Sequence, residues 1–205
     1  MDEELRRRLI ATFRWIDPGP NSTHLVSDVS GWWRDPFVLA RLGPALAHLV
    51  TPSPDQRPTV VLAPETTGLL LGPLVATALD AGFVPAHKQP AYLPAERRIA
   101  EPTTWAHTEA DYRGRTLALG VRDRYLRPGD RVVLVDDWVS TAAQLRALRA
   151  LVAARGATVV GAVTVVADCP PHVTAELGLR SLLTGDDLAA APVAPMITAP
   201  AAPSH

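Results

Sequence analysis

The sequence has 205 residues, 47% apolar and 20% charged, with a formal net charge of −1; it suits one globular domain with a real core. So balanced a charge excludes a global field drawing the chain to nucleic acid or anionic lipid, and no apolar run reaches membrane-spanning length, so neither nucleic acid nor membrane is an expected partner. The single cysteine, Cys169, excludes an internal disulfide and fits a reducing cytoplasm, while the lack of paired-Cys or His-x-x-x-His spacing argues against a protein-caged zinc.

The charged start, "MDEELRRRLI", does not read as a signal peptide. Residues 1–16 instead predict a short amphipathic helix with Leu5, Leu9 and Phe13 on one face. "DPGPNST" breaks it with Pro and Gly. "HLVSDVSGWWRDP" is a brief apolar stretch ending in a loop, and residues 36–50 have helical spacing despite Gly43-Pro44. A Pro-rich connector, 51–58, leads to three strand-then-helix units.

The expected strands are 59–63, 83–88, 131–137 and 157–168. The expected helices are 68–80 and 141–155, the second stopping at Gly156. Near-continuous apolar runs imply strands covered on both faces. Strands alternating with helices imply an α/β fold with a mainly parallel sheet. Two segments stand apart. Residues 89–116 form a long polar excursion that reads as a functional loop or flap. Residues 187–205 are Ala/Pro-rich and read as a disordered tail after a domain spanning 1–186.

The most informative stretch is "VVLVDDWVSTAAQL", 132–145. An apolar strand ends at Asp136 and Asp137, and a helix starts a few residues later. Ligands of open parallel sheets bind at the carboxyl ends of the strands. Two adjacent carboxylates can accept hydrogen bonds from a vicinal diol or hold a hydrated Mg²⁺. The free N–H groups at a helix start suit a phosphate. A diol site beside a phosphate site describes a ribose 5-phosphate. The plainer readings are a solvated strand end for the acid pair and an N-cap for Ser140 or Thr141.

"VVLVDDWVSTAAQ" resembles the signature of the type I phosphoribosyltransferases, which ends in Thr-Gly-Gly-Thr. Three further stretches extend the resemblance, closest to the adenine phosphoribosyltransferases, over roughly residues 5–185: "LVSDVSGWWRDP", "PETTGLLLGPLVATALDAGFVPAHK" and "ARGATVVGAVTVV". The resemblance implies that family's fold, with a flexible flap and a small hood. It implies Mg²⁺-dependent transfer of the phosphoribosyl group of 5-phosphoribosyl 1-diphosphate (PRPP) to a purine-like base, adenine by default, by a homodimer. The alternative is a catalytically weak or inactive PRPP or nucleotide sensor of the same fold.

Roles follow from the same resemblance. Asp136 and Asp137 match the acids that bind the ribose hydroxyls and, through water, Mg²⁺. Ser140, Thr141, Ala142, Ala143 and Gln144 match the 5-phosphate loop. Both of that loop's glycines are replaced here by Ala142 and Ala143, and its last hydroxyl by Gln144. Glu65, Thr66, Thr67, Gly68 and Lys88 match the pyrophosphate site, and Val26, Ser27, Asp28 and Trp138 line the base pocket. Arginines of the family pattern are missing at Ser27, Thr67 and His87. "EADYRG" places Asp111 and Tyr112 at the family's catalytic acid and aromatic, with Glu109 competing for the acid. Trp138 reads equally as a base-stacking or a core residue, and Trp32 and Trp33 read as packing residues.

Overall fold

Strand residues in the centre of the protein divide by parity between two apolar layers. Val61, Ala63, Val133 and Val135 face one layer, and Val60, Leu62, Val132 and Leu134 the other. All eight are buried, which is why these runs show no polar alternation. The computed structural model describes residues 2–20, 22, 24–50, 56–89, 102–109 and 116–195.

The central sheet has seven strands: β3 (Val60–Pro64), β4 (Gly82–Lys88), β5 (Thr103–His107), β6 (Ala118–Arg122), β7 (Arg131–Val139), β8 (Thr158–Ala167) and β9 (Leu179–Thr184). Their order is β5-β6-β4-β3-β7-β8-β9. The five from β4 to β9 pair in parallel, and β6 and β5 add antiparallel pairs at one edge. The α/β, mainly parallel architecture expected from the sequence is therefore the one observed.

Helices α1 (Glu3–Thr12), α2 (Ser30–Arg34), α3 (Pro36–Leu49) and α4 (Gly68–Leu79) supply the first layer, where Leu42, Leu46, Leu71 and Val75 are buried. Asp35 starts α3 by accepting from the N–H of Phe37 at 2.8 Å, and Pro36 stands where no N–H is needed. The helix runs through Gly43-Pro44 unbroken. A side chain at Gly43 would put its Cβ 2.4 Å from the carbonyl oxygen of Leu74, so α3 and α4 meet backbone to backbone. The second layer is α5 (Ala143–Ala154), burying Leu145, Leu148 and Leu151, and α6 (Pro171–Leu177), burying Val173 and Leu177. Gly156, at φ +68°, follows the end of α5 in the left-handed conformation expected of a helix terminator.

A small second sheet, β10-β1-β2, stands over the carboxyl ends of the central strands. It comprises β1 (Arg14–Asp17), β2 (Val26–Asp28) and β10 (Val193–Pro195). Two expectations are corrected here. The first helix stops at Thr12 and not at residue 16, because buried Phe13 is extended and turns the chain into β1. Structure also persists beyond residue 187. Leu188 is fully buried, Trp15 donates its indole N–H to the Leu188 carbonyl at 3.0 Å, and β10 pairs with β1. Backbone pairing tolerates an Ala/Pro-rich sequence, so composition alone concealed it. The rest of the Ala/Pro-rich segment, 196–205, lies outside the described residues.

Candidate active site

Strand β7 carries Asp136 and Asp137 to the carboxyl edge of the sheet and continues to Val139. Asp136 is 3% exposed. Its Oδ1 accepts the backbone N–H of Asp137 at 3.0 Å. Burial, then repulsion from Asp137, hold its carboxyl well above the ordinary carboxylate range, and Lys88 pulls in the opposite direction. A buried acid beside a second acid, facing one lysine, is a site short of positive charge or hydrogen-bond donors.

The chain then turns through Ser140 and Thr141 into α5. Ala142 occupies the left-handed region at φ 61°, ψ 10°, the conformation for which glycine is the usual residue. The N-cap Ala142 has no capping side chain; the N–H of Ala143 donates weakly to Thr141 Oγ1 at 3.4 Å, and Ser140 to Leu145 line the cavity at this helix start. The Oε1 atom of Gln144 is buried without a hydrogen-bond partner among the described residues. Arg146 Nη1 donates to the carbonyl of Thr141 at 3.1 Å and steadies the turn. Acids, loop and helix start line one cavity of about 260 Å³, together with Lys88 and Thr108.

A second cavity, about 480 Å³, lies between this edge and the small sheet. Its walls include Trp15, Leu25, Val26 and Trp138. Ser27, Trp138 and Ser140 line both cavities, so the two adjoin across these residues. Trp138 stacks on Phe13 at 5.7 Å between ring centroids and meets Trp15 edge-on at 5.6 Å. It packs against the core and also forms a cavity wall, so core packing is observed. A turn into a helix start and a pair of acids thus sit next to an aromatic-walled cavity.

Residues 46–171 match the phosphoribosyl transferase domain. The chain belongs to the phosphoribosyltransferase family. It is 32% identical to the adenine phosphoribosyltransferase of Cupriavidus taiwanensis over 184 residues, covering 90% of this chain and 85% of the relative. Among solved structures, the adenine phosphoribosyltransferase of Rhodothermus marinus superposes with a TM-score of 0.70 at 26% identity, covering 89% of this chain and 99% of that one. The enzyme from Leishmania donovani superposes with a TM-score of 0.73 at 25% identity, covering 93% and 84%.

In this phosphoribosyltransferase, Glu65 to Gly68 join β3 to α4, and the Glu65–Thr66 peptide bond is cis; of the residues expected at the pyrophosphate, only Lys88 lines the acid-lined cavity. Glu65 Oε1 lies 2.8 Å from His87 Nδ1, and its Oε2 accepts the backbone N–H of Lys88 at 3.0 Å. An acid–imidazole contact therefore ties this loop to the end of β4 at a position where the family pattern has arginine. Asp28 does not project into either cavity lining. It accepts the N–H of Ser30 at the start of α2, and hydrogen bonding from Ser30 lowers its carboxyl pKa.

Of the polar excursion, Thr103–His107 form β5, paired with β6. Sequence reasoning missed this pair because β5 is half-exposed and polar at a sheet edge. Glu109 is 71% exposed on its side chain and ion-paired with Arg146 at 3.4 Å. Asp111 and Tyr112 lie outside the described residues. Thr108, Leu117, His24, Leu25 and Asp168 line the cavities without having been singled out. For Asp168 a signal existed: like Asp137, it ends an apolar strand of a parallel sheet.

Among the described residues, no group of three or more His, Cys, Asp or Glu side chains could cage a metal. Asp136 and Asp137 offer oxygen donors only, and Asp136 is buried without a matching cation. That donor set fits a hydrated Mg²⁺ arriving with a phosphorylated ligand better than a resident transition metal. Nor is any helix among the described residues long and apolar enough to cross a membrane.

Proposed function

We propose that this phosphoribosyltransferase moves the phosphoribosyl group of PRPP to a ring nitrogen of a purine-like base, adenine by default, and releases pyrophosphate. The observation that carries this reading is that the acid-lined cavity and the aromatic one adjoin, sharing Ser27, Trp138 and Ser140 in their walls. A sugar held in the first has its reacting carbon facing a flat heterocycle held in the second. Chain-long identity to an adenine phosphoribosyltransferase supports the choice of base.

Each role rests on a particular group. Asp136 and Asp137 accept hydrogen bonds from the ribose hydroxyls and orient the sugar. The amides from Thr141 to Gln144 hold the 5-phosphate at the positive end of α5. Lys88 and the turn at Glu65, Thr66, Thr67 and Gly68 take the pyrophosphate. Val26, Ser27 and Trp138 bound the base, and Asp28 fixes the turn beside them. The C1–oxygen bond to pyrophosphate breaks as the C1–nitrogen bond forms; positive charge builds on the sugar in the transition state and is gone once the base has bonded and lost its proton. Positioning and electrostatic stabilisation supply most of the acceleration. Mg²⁺, held through water by Asp136 and Asp137, supplies neutralisation of the diphosphate charge when bound. Of the segment expected as a flap, Thr103–His107 belong to the central sheet, and residues 90–101 and 110–115 lie outside the described residues. Because Glu109 is engaged by Arg146, Asp111 is the proposed acceptor of the proton lost by the base, with Tyr112 beside it.

The exposed Leu69 and Leu70 at the start of α4 provide apolar surface for a homodimer, which light scattering on the purified protein tests. A cytoplasmic location fits the lone free cysteine.

The test of function is incubation with PRPP, Mg²⁺ and a panel of purine bases. Pyrophosphate release is expected, fastest with adenine; none with any base counts against the enzyme. A sensor is the second reading, favoured by the left-handed Ala142 and the absence of arginine at Thr67 and His87. Tight binding of PRPP or a nucleotide by calorimetry, without turnover, would select it.

A further inference from the structure

The aromatic cavity contains a carboxylate that the fold does not use. Asp168 follows β8, and its backbone N–H donates to the carbonyl of Val139 at 2.8 Å, fixing it beside the end of β7. Its side chain lines the cavity along with Trp15, Trp138, His24 and Ser140. Structural duties that could explain an acid here are unfilled. Helix α6, which begins three residues later, takes no side-chain cap. Among the described residues, none is hydrogen-bonded or ion-paired to the Asp168 carboxylate.

Gly185, just after the end of the neighbouring strand β9, leaves space beside it. A Cβ added at Gly185 would lie 2.0 Å from Asp168 Oδ1. Gly185 has φ −56°, a conformation open to any residue, so glycine is not required there by the backbone. What the missing side chain leaves is room for the carboxylate.

An ionised carboxylate accepts hydrogen bonds and donates none. Facing a planar base, it is complementary to an exocyclic amino group and repels the lone pairs of an oxo group at the same position. We infer that Asp168 selects the acceptor: its carboxylate takes a hydrogen bond from an amino group of the base, so the pocket favours amino-bearing heterocycles over their oxo counterparts. This rests on the proposed reading that the aromatic cavity holds the base. Asp168 is a specificity residue and takes no part in the chemistry at the sugar.

The experiment compares adenine with hypoxanthine, which replaces the amino group by oxo, in the wild type, Asp168→Asn and Asp168→Leu. The wild type favours adenine, and both substitutions lower the adenine-to-hypoxanthine ratio of kcat/KM by about tenfold or more. The loss falls on KM for the base and leaves KM for PRPP unchanged. Gly185→Ala, which crowds the carboxylate, shifts the ratio the same way. An unchanged ratio in both Asp168 variants overturns the inference. Asp168 is exposed and unpartnered, so these variants should fold. Titration of AMP and IMP, followed by the fluorescence of Trp15 and Trp138, separates this inference from the proposed function. If no base is turned over, an AMP preference that vanishes in Asp168→Asn sustains the role of Asp168 while the enzyme reading falls. Equal binding of AMP and IMP by the wild type overturns it.

Discussion

The backbone N–H of Asp137 donates to Oδ1 of Asp136 across 3.0 Å, so the second acid of the pair helps to hold the first in place while its charge opposes it. The crowding of two acids that is unfavourable in the free protein is also what the proposed binding of a sugar diol and a hydrated cation would use. Stability and function therefore pull in opposite directions at Asp136.

Asp136→Asn removes a buried charge that nothing in the free protein fully offsets. The variant should unfold at a higher temperature, with a gain of about 1 kcal/mol. Its kcat/KM for PRPP should fall by roughly two orders of magnitude, the scale of losing a charged contact to the reacting sugar. Thermal melts and steady-state kinetics on the same preparation read both.

The pH dependence has a definite sign. The Asp136 carboxyl is raised in the folded protein by burial and then by Asp137. Above about pH 4, where an unfolded aspartate loses its proton, and up to the raised folded value, the folded state binds more protons than the unfolded one. The stability this contributes is full below that window and is lost as pH rises through it. Asp136→Asn should flatten this slope in a series of melts across pH. Binding of PRPP with Mg²⁺ favours the ionised acid and should release protons within the window, seen as a buffer-dependent enthalpy in calorimetry.

Ala142 sits at φ 61° with its methyl group buried. Ala142→Gly relieves a left-handed strain of about 1–2 kcal/mol but loses about 0.8 kcal/mol of methyl burial and adds chain entropy to the unfolded state. Its stability should stay within about 1 kcal/mol of the wild type. Ala142→Val places a β-branched residue in the same conformation and should destabilise by more than about 2 kcal/mol. Denaturant unfolding of the two variants measures the difference.

Glu109 and Arg146 form an exposed pair at 3.4 Å, which contributes less than about 1 kcal/mol to stability. Glu109→Gln should keep kcat within a few fold of the wild type, whereas Asp111→Asn should lower it by about a hundredfold if Asp111 takes the proton. Arg146→Ala loosens the turn at Thr141 and should raise KM for PRPP more than it lowers kcat. Single-turnover and steady-state rates distinguish these patterns.

The parts legible in the sequence were those written in apolar runs and strand-end acids. Strand β3, the core of β7 and the second half of β8 are buried on both sides and announced themselves as nearly continuous apolar runs, while β4 is buried only at Val84 and Ala86. Asp136 and Asp137 were visible because two acids closing such a run have no structural purpose. Backbone-made elements were hidden. Strands β1, β2 and β10 are three or four residues long and exist through pairing with one another. The aromatic cavity they help to build brings together Val26, Ser27 and Trp138, which the sequence grouped, with Trp15, Leu25 and Asp168, which it did not. The geometry of Ala142 was foreseeable only through family resemblance, since nothing in an Ser-Thr-Ala-Ala run demands a positive φ.

The most direct test of the account is a crystal structure of the protein soaked with PRPP and Mg²⁺. It should show the ribose hydroxyls on Asp136 and Asp137 and the 5-phosphate on the amides of Thr141 to Gln144. PRPP bound elsewhere, with that turn and both acids untouched, would contradict it.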